Sequence, residues 1–175
     1  MLVYNVYLIG FMGTGKSTVA SHLGRTFLAD VIEMDEKIAE REGKSISEIF
    51  AQNGEAYFRE LETSFLRELD MKRNQVVSCG GGVILREENI HLMKKSGKVV
   101  LLTASPEVIY DRVKNDEGRP LLKGRKSPEA IRELMEERRV RYEKAADIII
   151  CTDGKSVDEI SKELIKEIER AKERK

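Results

Sequence analysis

Five short apolar runs rich in branched residues recur along the chain, at residues 3–9, 30–34, 75–78, 98–103 and 147–151. Between them lie stretches of helical period, with Val19, Leu23 and Phe27 on one face of the first and Phe58, Leu61, Phe65 and Leu69 on one face of another. Strands that are apolar on both sides and alternate with helices predict a parallel sheet covered by helices on both faces, an α/β fold. Residues 156–175 set Val157, Ile160, Leu164, Ile165 and Ile168 against lysines and glutamates, the pattern of a C-terminal helix packed on that sheet.

Two stretches break this rhythm. Residues 33–69 form a long, mostly helical insertion between the second and third strands and read as a substrate-binding region. Residues 114–128, polar, basic and glycine-containing between two helices, suit a short lid over an anionic ligand. No repeat or low-complexity tract divides the chain, so 1–175 reads as one domain, long enough to bury a core without disulfides or a structural metal.

Charge narrows the partners. Lys plus Arg and Asp plus Glu are each 31, which argues against a surface devoted to nucleic acid or an anionic membrane and favours a small-molecule partner for a monomeric protein. The apolar N-terminus is too short to span a bilayer, lacks a basic leader and runs into a glycine-rich turn. Cys79 and Cys151, far apart and without a C-x-x-C spacing, are expected to be reduced, buried thiols of a cytoplasmic protein. His22 and His91 lack acidic or cysteine partners at ligand spacing and are expected to be structural.

Directly after the first predicted strand, Gly10-Phe11-Met12-Gly13-Thr14-Gly15-Lys16-Ser17 matches G-x-x-x-x-G-K-[ST] and opens a helix, the context this phosphate-binding loop requires. Gly13, Thr14, Gly15 and the helix start with Thr18 would aim backbone N–H groups at phosphates. Lys16 would neutralise the β- and γ-phosphates, and the Ser17 hydroxyl could coordinate Mg²⁺. The loop implies a nucleotide but no particular reaction, because motors, switches and kinases share it.

Other residues must choose the acceptor. Glu33 and Asp35 stand at i and i+2 at the carboxyl end of the second strand, where open α/β sheets bind ligands. One could orient metal-bound water and the other accept a hydroxyl proton, although capping the next helix is an equally good reading of the spacing. Gly80, Gly81 and Gly82 after the third strand suggest close approach of backbone to a ligand, with a plain turn as the rival. Arg138 falls within the apolar stripe of Ile131, Leu134, Met135 and Tyr142, so it should face an interior cleft and seek an anion. Arg59 reads most simply as an ion-pair partner of Glu55 or Glu62. Arg119 in the lid could swing onto transferring phosphates.

Together these residues resemble the shikimate kinase family, whose members have the three-layer α/β/α P-loop fold with a central, five-stranded parallel sheet. The resemblance runs from Leu8 to about Lys155 and rests on the loop at 10–18, the acid pair, Gly54-Glu55 leading to Phe58-Arg59, the triple glycine, Arg119-Pro120-Leu121-Leu122, and Arg138 with Tyr142. It implies transfer of the γ-phosphate of ATP, with Mg²⁺, to the 3-hydroxyl of shikimate. By position it makes Asp35 the candidate base, Arg59 and Arg138 the holders of the substrate carboxylate, Gly81 and Gly82 backbone neighbours of the substrate, and Arg112, Arg119 and Lys155 contacts of ATP. The family's usual acid pair is Asp-x-Asp, so Glu33 departs from it and is expected to reach the metal through water. A gluconate kinase of the same fold is the nearer rival, and a nucleotide-binding regulator the rival from another class.

Overall fold

The computed structural model describes residues 2–114 and 127–173. Five strands, β1 (Asn5–Ile9), β2 (Asp30–Glu33), β3 (Gln75–Ser78), β4 (Gly97–Thr103) and β5 (Ile148–Cys151), form one sheet in the order β2-β3-β1-β4-β5, every pairing parallel. Seven helices alternate with them: α1 (Lys16–Phe27), α2 (Met34–Glu42), α3 (Ile46–Leu69), α4 (Glu87–Ser96), α5 (Pro106–Val113), α6 (Pro128–Ala145) and α7 (Val157–Glu173).

The period of two along the strands sorts the core into two layers. Tyr7, Ile9, Val77, Val99 and Leu101 point to the side covered by α2, α3, α4 and the end of α6. Val6, Leu8, Val76, Val100 and Leu102 point to the side covered by Val19, Ala20 and Leu23 of α1 and Ile160, Leu164 and Ile168 of α7. A third cluster, in which Phe11 and Ala104 meet Ile109, Val113 and Ile131, seats α5 and the start of α6 beside the glycine-rich loop.

Element boundaries differ from expectation where solvent or capping intervenes. The first strand begins at Asn5, because Val3 lies out in solvent and the pairing of β1 with β4 starts at Asn5 opposite Gly97. Met34 ends no strand; it opens α2. The insertion comprises α2 and α3, the latter entered through a capping box in which Ser45 and Glu48 satisfy each other's backbone N–H groups. Gly54, at φ 83° and ψ 169°, then breaks α3 before the segment that carries Arg59.

Cys79 is buried as expected, but Cys151 is exposed, a correction that follows from its strand. β5 is an edge of the sheet, and Ile149 and Cys151 alternate onto an uncovered face. Both thiols are free. His22 does have an acidic neighbour, with Nδ1 3.4 Å from Asp158 between α1 and α7. Among the described residues no helix is long and apolar enough to cross a membrane.

Candidate active site

All strands being parallel, their carboxyl ends gather the loops that follow β1, β2 and β3 into one cleft of about 520 Å³. Its walls include Gly13, Gly15, Lys16 and Ser17 after β1, Glu33 and Asp35 after β2, and Ser78, Gly80 and Gly81 after β3, with Arg112 at the rim.

The β1 loop is built to face an anion. Thr14 folds its hydroxyl back onto the Phe11 carbonyl at 2.9 Å, and Gly15, with φ 92°, turns the chain into α1 without a side-chain cap. Every other described α-helix carries an acidic residue in its first turn, whereas α1 has none. The partial positive charge of its N-terminus is therefore left uncompensated and joined by Lys16. The Lys16 ammonium donates to the Gly10 and Phe11 carbonyls at 2.9 and 3.0 Å, lying over the loop it would share with phosphates. Thr18 is exposed one residue beyond Ser17, and Arg112 donates to the Gly13 carbonyl at 2.8 Å from α5.

Across the cleft Ser17 donates to Glu33 Oε2 at 2.9 Å, and the Ser17 and Ser78 oxygens are 3.5 Å apart. The register explains this meeting, since Glu33 pairs directly with Ser78 on the neighbouring strand. One carboxylate with two hydroxyls is a donor set that suits a hard cation sharing phosphate oxygens, which takes few protein ligands. Among the described residues no group of three or more His, Cys, Asp or Glu side chains could hold a metal alone.

Asp35 lies in the first turn of α2 and opens onto the cleft. Protein crowds the inner side of its carboxyl, and this burial raises its pKa against the downward pull of Lys16 and then Arg59. Arg59 donates from Nη1 to Glu62 at 2.7 Å and from Nη2 to Glu55 at 3.0 Å, so both ion-pair partners read from the sequence are present. Glu62 is fully buried, its second oxygen Oε1 has no hydrogen-bond partner, and burial pushes its pKa to about 7 despite Arg59.

The triple glycine is where these groups meet. A methyl on Gly80 would lie 2.6 Å from Asp35 Oδ1 and 3.1 Å from Glu62 Oε1, and one on Gly82 would lie 2.4 Å from both terminal nitrogens of Arg59. Close approach of side chains thus accounts for glycine here better than the turn alone. From the other side, Arg138 of α6 donates to the Gly81 carbonyl at 3.4 Å and Tyr142 donates to the same oxygen at 2.5 Å. Arg138 is half-buried and has no carboxylate partner among the described residues.

Not every residue singled out from the sequence joins this cluster. Lys155 follows β5, is half-buried and pairs with Glu163 of α7 at 2.5 Å. Arg119 and most of the lid expected at 114–128 lie outside the described residues. Ser78 escapes the sequence reading, because its place depends on the strand register. Glu62 is legible as an ion-pair partner but not as a buried acid at the site; it sits at i+4 from Phe58 and i−3 from Phe65, and a carboxylate inside an apolar stripe is its signal. Tyr142, paired with Arg138 in the resemblance, contributes a hydroxyl whose partner the apolar stripe does not reveal.

The shikimate kinase family model matches residues 12–169. A shikimate kinase from Geobacter sulfurreducens is 48% identical over 160 residues, covering 91% of this chain and 88% of its own. One from Thermodesulfovibrio yellowstonii is 42% identical over 166 residues, 95% of both chains. The shikimate kinase from Acinetobacter baumannii, solved in complex with shikimate, superposes with a TM-score of 0.91 at 32% identity over 97% of this chain and 95% of that one.

Proposed function

This chain belongs to the shikimate kinase family, and from that premise we propose that its cleft transfers the γ-phosphate of ATP to the 3-hydroxyl of shikimate, giving shikimate 3-phosphate and ADP. The observation that carries the site assignment is the convergence on one glycine loop of a candidate base and two cationic clamps from separate helices: Asp35 against Gly80, Arg138 against Gly81 and Arg59 against Gly82.

In this reading the acceptor's carboxylate lies between Arg59 and Arg138, the pair of guanidinium groups that a planar anion matches best. Anchored there, shikimate presents a hydroxyl to Asp35, which takes the proton as the oxygen attacks the γ-phosphorus and the bond to the β,γ-bridging oxygen breaks. Lys16, the backbone N–H groups of 13–18 and the N-terminus of α1 carry the negative charge of the phosphates. Arg112, at the rim, with Arg119 and Lys155 are the proposed nucleotide contacts, and 114–128 the proposed lid that excludes water.

Mg²⁺ fits the donor set of Ser17, Glu33 and Ser78, where it would offset phosphate charge, Glu33 acting through bound water. The whole chain is taken as one kinase domain with 33–69 on the acceptor side. A monomeric, cytoplasmic enzyme with no nucleic-acid or membrane partner agrees with the balanced charge.

The test is ADP release by the purified protein with ATP and Mg²⁺, comparing shikimate, gluconate, AMP and CMP. Stimulation by shikimate alone is expected. Turnover of gluconate with silence toward shikimate would overturn the acceptor while leaving the phosphate loop in place.

A further inference from the structure

From α6, Arg138 Nη1 donates to the Gly81 carbonyl at 3.4 Å, and its guanidinium lies beside the Tyr142 hydroxyl. That carbonyl is itself held, because Tyr142, one turn further along α6, donates to it at 2.5 Å. The same oxygen thus accepts from two side chains four residues apart on one helix face. We infer that Tyr142 is a positioning residue for the acceptor: its hydroxyl fixes the Gly81 carbonyl, and that carbonyl holds the Arg138 guanidinium over the cleft in the orientation that receives the substrate carboxylate. The inference rests on the reading of Arg138 as a carboxylate clamp.

Three observations separate this from ordinary packing. The Tyr142 ring is 4% exposed, yet one side of it borders a cavity of about 200 Å³ lined also by Phe11, Thr14, Leu101 and Met135, so packing does not grip the ring all round. The hydroxyl bond supplies the missing constraint. α6 has independent fastenings, with Arg141 donating to the Leu85 carbonyl at 3.0 Å and Lys144 to Glu87 at 2.9 Å, so loss of one hydroxyl leaves the helix in place. Burial also pushes the Tyr142 pKa to about 12, the charge of Arg138 opposing, so the group remains a donor throughout the physiological range.

The test is a double-mutant cycle read by calorimetric binding of shikimate and of ADP to the intact protein, Tyr142→Phe, Arg138→Ala and the double variant, with thermal melts of each. Tyr142→Phe should weaken shikimate binding about threefold to tenfold, the equivalent of one hydrogen bond, and leave ADP binding and the melting temperature nearly unchanged. Added to Arg138→Ala, it should weaken shikimate no further. An equal loss with Arg138 absent, unaltered shikimate binding, or a lowered melting temperature with both ligands weakened alike would each overturn the inference. Wild-type shikimate affinity in Arg138→Ala would instead overturn the clamp reading beneath it.

Discussion

Arg59 donates to Glu62 at 2.7 Å inside the molecule, and the carboxylate it meets is the one fully buried acid among the described residues, with a second oxygen left bare. The pair fixes the guanidinium against Gly82, but at a cost in desolvation, since breaking such a pair costs about 3–5 kcal/mol while forming it yields far less.

The cost should be visible in the pH dependence of stability. Burial holds the Glu62 carboxyl at a pKa of about 7, above its ordinary 4.5, so the folded chain holds this proton after the unfolded chain has released it. Its contribution is fully present below pH 4.5 and is lost as pH rises through 7. Glu62→Gln, which keeps an acceptor for Arg59, should flatten the decline in melting temperature between those limits. An unchanged slope in a pH series of thermal melts would remove Glu62 from the titration.

Gly82 offers a steric test of the same contact. The 2.4 Å separation between a methyl there and the Arg59 nitrogens forces the guanidinium aside. Gly82→Ala should raise the shikimate KM about tenfold or more, the scale of a charge-assisted hydrogen bond, with a small change in the ATP KM. Steady-state kinetics with each substrate varied in turn decides it, and equal effects on both would place Arg59 outside the acceptor pocket.

The features that the sequence made legible are those with local signatures. Strand runs, the helix period of α7 and the phosphate loop each depend on neighbours within a few residues, and all are present, with strand ends shifted by one or two residues. The face of Cys151 was hidden because exposure at a sheet edge depends on strand order, which no single run carries. Ser78 and Glu33 meet through a register between strands separated by the whole of α2 and α3. The residues alone make Arg59 an ion pair, and only the resemblance gives it an acceptor role, since its place against Gly82 depends on a distant loop.

Asp35 should set the acid limb of the rate profile. Burial raises its pKa above 3.8, and catalysis by the ionised carboxylate is lost as pH falls through that raised value. Asp35→Asn should lower kcat about 10²–10⁴-fold. Lys16 opposes the rise, so Lys16→Met should move the Asp35 carboxyl titration, followed by carbon NMR, still further upward. A downward move would show that Lys16 does not act on Asp35.

Glu33 tests the metal side of the cleft independently of the acceptor. Its carboxylate already accepts from the Ser17 hydroxyl at 2.9 Å from the end of β2. Glu33→Asp shortens that reach by one methylene, and a water-mediated role tolerates the change because water can span the added gap. The variant should therefore keep most of its kcat, with the Mg²⁺ concentration for half-maximal rate raised by less than about tenfold, whereas Glu33→Ala should raise it further. Titration of activity against Mg²⁺, paired with Mn²⁺ binding followed by electron paramagnetic resonance in the presence of ADP, separates the cases. If Glu33→Asp loses Mn²⁺ binding as completely as Glu33→Ala does, the longer acid touches the ion itself, and the water between them is excluded.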